Sequence, residues 1–350
     1  MLKTIVARVP WKQLLIVGSC FGGLPANATP VLVVDTITRE VLYQEEAGRP
    51  WYPASTTKLM TALVVFEALS TAEVTLSSPI TMSRNAVSQP FVNSDLTVGR
   101  TMTLEDALFA MLTASANDVA VAVAEAVASE EASFIARMNE TAKRIGLTGT
   151  HFTSPNGLFN KENYTTARDL AILGMQIDQK FPEYRRFFQA SAVTIDGKEL
   201  KSNNELLTRF PGTTGMKTGF LCASGRTFVG LAAQNGKRIM VVVLGATTER
   251  ERNERSAKFL TEAFSGQLTS DAGLVDSLTN ETDVKPEDMR VRLCTSQAES
   301  YQASRDAAFP MGMAGHQSYL HDPVPDLTHA INTWVHRDAA DVPTPLPRPS

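Results

Sequence analysis

The chain has 350 residues, 43% of them hydrophobic, with 33 Lys and Arg against 37 Asp and Glu. That is an ordinary globular composition with room for one large domain and an appendage. The acidic balance excludes nucleic acid or an anionic membrane surface as the main partner, and three cysteines exclude a disulfide-framework fold.

Residues 1–28 read as an export signal. Lys3, Arg8 and Lys12 form a basic stretch without an acidic residue, LLIVGSCFGGL follows, and Ala26-Asn27-Ala28 is a small-x-small cleavage site. The apolar run is too short to span a bilayer. Val17-Gly18-Ser19-Cys20 also fits a loose lipoprotein site that would acylate Cys20; cleavage after Ala28 is the preferred reading. Cleavage removes three positive charges and leaves 30 against 37, a net charge of −7. The mature protein is then periplasmic or held in the cell envelope.

Val31–Val34 and Val41–Tyr43 are β-rich runs around a polar turn, which predicts a hairpin. PASTTKLMTALVVFEAL at 53–69 follows. Proline fits a first helical turn, and an apolar character nearly all round predicts a buried helix. Ser55 and Lys58 share one face of its first turn. Taken alone, that pair also reads as a capping serine and a lysine that snorkels to solvent. Residues 72–100 read as loops with short strands. Thr103 opens a helix, LEDALFAMLTA, which ends at Ser115-Ala116-Asn117-Asp118, where a second apolar helix begins at once.

Residues 131–145 predict an amphipathic helix with Phe134, Met138, Ala142 and Ile145 on one stripe. Thr153–Gly157 is a turn cluster, and another helix runs from about Thr166. Weak strand patterns come after Phe181-Pro182. Lys217-Thr218-Gly219 then precedes a hairpin, TFVGLAA and RIMVVVLGA around Asn235-Gly236. A helix from Glu254 to Phe264 closes the domain. Strands at both ends with helices between predict an α+β domain over 29–265 whose terminal segments pair in one antiparallel sheet. Residues 266–320 form an extension with one predicted strand, Met289–Cys294. Residues 321–350 combine a short helix at 326–335 with a proline-rich, extended end. That helix carries Leu327, Ile331 and Trp334 on one face and is read as packing on the domain, with weak membrane association left open.

Three elements can carry chemistry: Ser55-x-x-Lys58, Ser115-Ala116-Asn117 and Lys217-Thr218-Gly219. The first and third patterns occur once, whereas S-x-N recurs at Ser83, Ser154 and Ser202 in turn-like surroundings. A serine hydroxyl is a poor nucleophile until a base takes its proton. The five histidines, at 151, 316, 321, 329 and 336, fall in none of these elements, which argues against a Ser-His-Asp triad. Lysine can act instead if burial and a second cation keep it neutral. Lys58 is then the base and Lys217 the second cation, while Ser115 relays a proton and Asn117 holds Lys58 or the substrate. In Lys217-Thr218-Gly219 the lysine adds positive potential, the threonine a hydroxyl donor, and the glycine room for a substrate backbone.

These elements, with YPASTTKLMTAL, TASANDVAVAVAE, FTSPNGL, YTTARDLA, GMKTGF and VVVLGA in order over about residues 30–265, resemble the serine-type D-alanyl-D-alanine carboxypeptidases. These are the low-molecular-mass penicillin-binding proteins of bacterial envelopes, whose motif set is shared with class A β-lactamases. The resemblance implies a five-stranded antiparallel sheet with helices on both faces. It also implies removal of the terminal D-alanine from peptidoglycan stem pentapeptides through a Ser55 acyl-enzyme, with β-lactams as acylating inhibitors. No metal or cofactor is expected. The backbone N–H groups of Ser55 and Phe220 would form the oxyanion hole, and Lys217, Thr218, Gly219 and Arg252 would bind substrate, with Arg250 the reserve for Arg252. A D,D-endopeptidase and a non-catalytic penicillin-binding wall protein are the alternatives. The Ser154–Tyr164 region offers no clear equivalent of the class A deacylating glutamate. Residues 266–350 match neither the second β-sandwich domain nor the anchor helix of many relatives. Export permits a Cys222–Cys294 disulfide, weighed evenly against two separate thiols.

Overall fold

The computed structural model describes residues 29–91 and 94–335, so the readings of the signal, of Cys20 and of the proline-rich end lie outside the described residues. The sheet grows from one hairpin, β8 (Gly225–Gln234) and β9 (Lys237–Ala246). Asn235 and Gly236 both take positive φ (49° and 78°), the turn geometry that matches strand twist. The order is β2-β1-β9-β8-β7, all antiparallel, with β1 Val31–Asp35, β2 Val41–Glu45 and β7 Thr213–Leu221. Val31 faces Val243 across β1 and β9, so the two ends of the domain meet as the element order predicts.

Strand periodicity divides the core. Val31 and Val33 pack with Ala257 and Leu260, on the helix at 249–264, on one face; Leu32 and Val34 join the helical core on the other. That core surrounds α1 (Lys58–Ser70), whose residues 58–66 are all buried. Pro53 precedes α1 by a 3-10 turn, Ala54–Thr57, instead of standing in its first α-helical turn. Short β3 (Pro79–Thr81) pairs with β4 (Arg100–Thr103), and α2 (Arg84–Val87) lies between them. Thr103 caps α3 (Leu104–Thr113) by accepting from the Asp106 N–H at 3.1 Å. Next come α4 (Asn117–Ala128) and α5 (Glu131–Arg144), with Phe134, Met138 and Ala142 inward. Thr166 caps α6 (Ala167–Lys180). Residues 182–188 form a 3-10 helix that buries Phe187 and Phe188. After it come the hairpin β5 (Ala192–Ile195) and β6 (Lys198–Lys201) and short α7 (Leu206–Arg209). Helix α8 (Glu249–Phe264) starts five residues before the predicted Glu254.

Two expectations for the extension are corrected. Met289–Cys294 is not a strand: Arg290–Leu293 forms α9, with the Asp288 carboxylate accepting from the Arg290 N–H at 3.0 Å. Met289 is the only member of that run fully inside, and its N–H donates to the Ala223 carbonyl. After α10 (Ala298–Ala308), the predicted helix at 326–335 is instead two strands. β10 (Thr328–Ile331) joins the open edge of β5 in parallel, and β11 (Trp334–Val335) joins β4. The supposed apolar stripe does not face one way: Ile331 is 1% exposed, Leu327 62% and Trp334 41%. Open strand edges offered this segment more backbone hydrogen bonds than its side-chain periodicity could offset. No helix among the described residues is long and apolar enough to cross a membrane.

The extension is fastened to the domain by a Cys222–Cys294 disulfide across 72 residues of sequence, and by Arg305 of α10, buried against Glu251 of α8. Closing so long a loop stabilises by roughly 2–4 kcal/mol. Replacing both cysteines with serine should therefore lower Tm by roughly 5–10 °C. A Tm equal to that of the parent protein in calorimetry would show that the extension holds without the bond.

Candidate active site

The turn carrying Ser55 is strained and clamped. Ala54 takes φ 50°, unusual without glycine. Gly157 presses against it so closely that a Cβ there would sit 2.0 Å from the Ala54 carbonyl oxygen. From the sheet side, Thr227 Oγ1 donates to the Pro53 carbonyl at 3.0 Å. Ser55 thus stands between the 154–157 turn and β7, at the mouth of a fully buried helix start.

Lys58 is wholly buried, which excludes the snorkelling reading. Its Nζ lies 3.1 Å from Ser55 Oγ, 2.7 Å from Asn117 Oδ1 and 2.8 Å from the Asn156 carbonyl oxygen. Burial, and after it the Lys217 charge, hold Lys58 well below the ordinary lysine range, against a weaker upward pull from Asp118. Asn117 is oriented by its Nδ2, which donates to the Pro90 and Phe91 carbonyls at 3.1 and 3.4 Å, so its Oδ1 faces the lysine. Ser115 sits at the α3–α4 junction with φ 60°, half-buried, its Oγ without a hydrogen bond among the described residues.

Lys217, Thr218 and Gly219 lie on β7 opposite Val229, Phe228 and Thr227. A Cβ on Gly219 would sit 2.7 Å from the Ser55 nitrogen, so the strand passes the nucleophile as closely as backbone can. Lys217 is buried and donates to the Thr218 carbonyl at 2.9 Å; burial first, then Arg252, lower its pKa to about 7. The Phe220 ring is exposed at the rim, under the Arg226 guanidinium at 4.7 Å.

Arg252 lies in the first turn of α8, buried, and donates to Asn253 Oδ1 and the Asn203 carbonyl. Burial lowers its pKa to about 10, helped by Arg226 and opposed by Glu249 and Glu205. Arg250, two residues earlier, is committed elsewhere: it donates to the Phe309 and Met311 carbonyls and pairs with Asp306, all in the extension. The structure thus gathers Ser55, Lys58, Asn117, Lys217, Gly219 and Arg252 and leaves Arg250 outside.

The other S-x-N serines serve turns. Ser83 accepts from Ala86 N–H, Ser154 from Gly157 N–H and Ser202 from Asn204 N–H. The Ser154 turn nevertheless supplies the Asn156 carbonyl to Lys58, a contribution that reasoning from side-chain types passes over. Asp118 was also passed over: it is buried beside Asn117, takes a hydrogen bond from Ser94, and burial raises its pKa. His151, His316, His321 and His329 form no part of this cluster; His329 pairs with Asp106, and His336 lies outside the described residues. The one carboxylate of the 154–164 region, Glu162, is exposed. Among the described residues no group of three His, Cys, Asp or Glu is placed to hold a metal ion.

A family model for D-alanyl-D-alanine carboxypeptidase matches residues 24–248. The D-alanyl-D-alanine carboxypeptidase DacF of Bacillus subtilis is 32% identical over 69% of this chain and 63% of its own. DacC of Escherichia coli is 33% identical over 68% and 61%. The chain therefore spans less than two thirds of the length of either relative. Among solved structures, penicillin-binding protein D2 from Listeria monocytogenes in its cefotaxime-bound form superposes with a TM-score of 0.62. It is 31% identical, over 68% of this chain and 97% of that one.

Proposed function

The chain belongs to the D-alanyl-D-alanine carboxypeptidase family, and from that premise we propose that it is a serine D,D-carboxypeptidase. It removes the terminal D-alanine of peptidoglycan stem pentapeptides through an acyl-enzyme on Ser55. One observation carries the reading: the hydrogen-bond inventory of Lys58. Asn117 Oδ1 and the Asn156 carbonyl can only accept, so they take both N–H bonds of a neutral amine. The remaining lone pair then faces the Ser55 hydroxyl at 3.1 Å.

Lys58 takes the hydroxyl proton as Ser55 Oγ attacks the carbonyl of the penultimate D-alanine. The developing oxyanion is held by the N–H groups of Ser55 and Phe220. Ser115, with its hydroxyl unengaged, passes a proton to the leaving amine. Lys217, Thr218 and Arg252 hold the terminal carboxylate of the substrate. Water then cleaves the ester with Lys58 again as base. A β-lactam acylates Ser55 in the same way, and no carboxylate from the 154–164 region stands ready to speed its release. The cefotaxime-bound Listeria relative supports that inhibition. The first 28 residues and the disulfide support an exported protein, in the periplasm or cell envelope, cleaved after Ala28 or, as the alternative, lipidated at Cys20.

Incubation with monomeric and cross-linked muropeptides, followed by mass analysis, tests the activity. Loss of one alanine from pentapeptides is expected; halved dimers with untouched pentapeptides would establish an endopeptidase instead. Complete inactivity together with failure to bind penicillin would leave a wall-binding protein. Arginine grips a carboxylate through its planar fork, a charge-assisted contact worth about 1.5–3 kcal/mol. Arg252→Ala should therefore lower kcat/KM on D-Ala-D-Ala peptides by about ten- to a hundredfold, with the fold retained. Unchanged kinetics in Arg252→Ala would remove the arginine from substrate binding.

A further inference from the structure

One short piece of the extension, residues 287–294, touches all three segments that hold the reacting groups. Glu287 pairs with Arg49 at 3.0 Å, on the stretch that leads into the Ser55 turn. The Arg290 guanidinium stacks on the Phe159 ring at 4.4 Å, and that ring meets Tyr52 edge-on at 5.3 Å. Phe159 follows shortly after Asn156, whose carbonyl accepts from Lys58. The third contact is with the turn between β7 and β8. Cys294 is bonded to Cys222 there, and the Met289 N–H donates to the Ala223 carbonyl at 3.0 Å. Met289 is fully buried, its Sδ so near Gly225 that a Cβ on the glycine would come within 3.1 Å of it.

That turn governs Phe220, whose N–H holds the oxyanion in the proposed mechanism and which stands just before Leu221 and Cys222. Strand β7 is the edge of its sheet and is paired with β8 alone. Its other side meets the Ser55 turn at Gly219, in contact too close for a side chain. The spacing of the Phe220 and Ser55 N–H groups therefore depends on what fixes the end of β7, where ladder hydrogen bonds open most easily. The catalytic domain supplies one tie, from Trp51 Nε1 to the Ser224 carbonyl at 2.8 Å. The extension supplies the disulfide and Met289, from a stretch beyond residues 24–248 that the family model matches.

We propose that residues 287–294 are a brace that positions the oxyanion hole, with Cys222, Cys294 and Met289 as positioning residues for the acylation step. None of the three touches substrate; they act through the backbone of Phe220. The inference rests on the carboxypeptidase reading, since it takes the Ser55 and Phe220 N–H groups as the hole. An oxyanion donor meets charge that develops in the transition state. Displacing it lowers the acylation rate constant and leaves the affinity of the preceding non-covalent complex unchanged.

Stopped-flow acylation by benzylpenicillin, analysed for that rate constant and that affinity separately, tests the brace. Cys294→Ser opens the bond without altering the turn, and Met289→Ala removes the second hold. Each should lower the rate constant about tenfold, the scale of a small misplacement at the reacting centre, with the affinity unchanged. Only folded molecules react, so the rate constant is read on them even where a variant is partly unfolded. Asp306→Ala is the comparison: it removes the ion pair with Arg250, which ties α10 to α8 away from this turn, and should keep the parent rate constant. Parent rate constants in Cys294→Ser and Met289→Ala, with only less protein labelled, would overturn the brace. Equal slowing in Asp306→Ala would overturn it as well, because the rate would then follow the stability of the extension as a whole. A parent protein that penicillin does not acylate would overturn the carboxypeptidase reading and the brace with it.

Discussion

Lys58→Met is expected to lower the acylation rate by penicillin, and kcat/KM on D-Ala-D-Ala peptides, by about 10²- to 10⁴-fold, the contribution of a positioned general base. Methionine keeps the length and burial of the side chain while removing the nitrogen that meets Ser55, Asn117 and Asn156. The loss therefore reports chemistry and not a cavity, and an unchanged or raised Tm would document the intact core. In the parent protein acylation should fall as the pH is lowered through the depressed pKa of Lys58, because a proton then occupies the lone pair that faces the serine. That acid limb should be missing from the residual activity of the variant. Acylation at the parent rate in Lys58→Met would remove the lysine from the mechanism.

Lys217→Met should move stability and activity in opposite directions. The folded pKa of Lys217 is about 7, below the ordinary lysine value of 10.5 that the unfolded chain recovers. Between those values the unfolded chain binds a proton that the folded chain does not, so protons favour unfolding. The penalty is absent above pH 10.5, grows as the pH falls, and is complete below about 7. A shift of this size corresponds to about 3–5 kcal/mol for a fully buried group. Replacing the lysine by methionine removes it, and Tm at pH 7 should rise by roughly 10 °C. The advantage should shrink as the pH approaches 10. Hydrolysis should fall, since the positive potential beside the substrate carboxylate is gone. A lower Tm at pH 7, or a difference that does not change with pH, would contradict a strained, buried cation.

Much of the site was legible because its chemistry resides in side chains at short spacings. Ser55 and Lys58 lie one turn apart on a helix too apolar to be exposed, and Lys217-Thr218-Gly219 opens directly onto a hairpin with an Asn-Gly turn. What escaped follows physical lines. Asn156 acts through a backbone carbonyl, which any residue possesses, so its identity carries no signal. The start of α8 was hidden because its inward face is charged: Glu251, Arg252, Glu254 and Arg255 are all buried, which defeats apolar periodicity. β10 and β11 exist only because β5 and β4 present open edges, and nothing within residues 326–335 encodes those partners.

Peptide mapping by mass after reaction with benzylpenicillin tests the central claim most directly. The account predicts one adduct with the mass of the intact antibiotic, on the peptide that carries Ser55, and no adduct in Ser55→Ala. Labelling that survives Ser55→Ala, or that maps to Ser115, would contradict it.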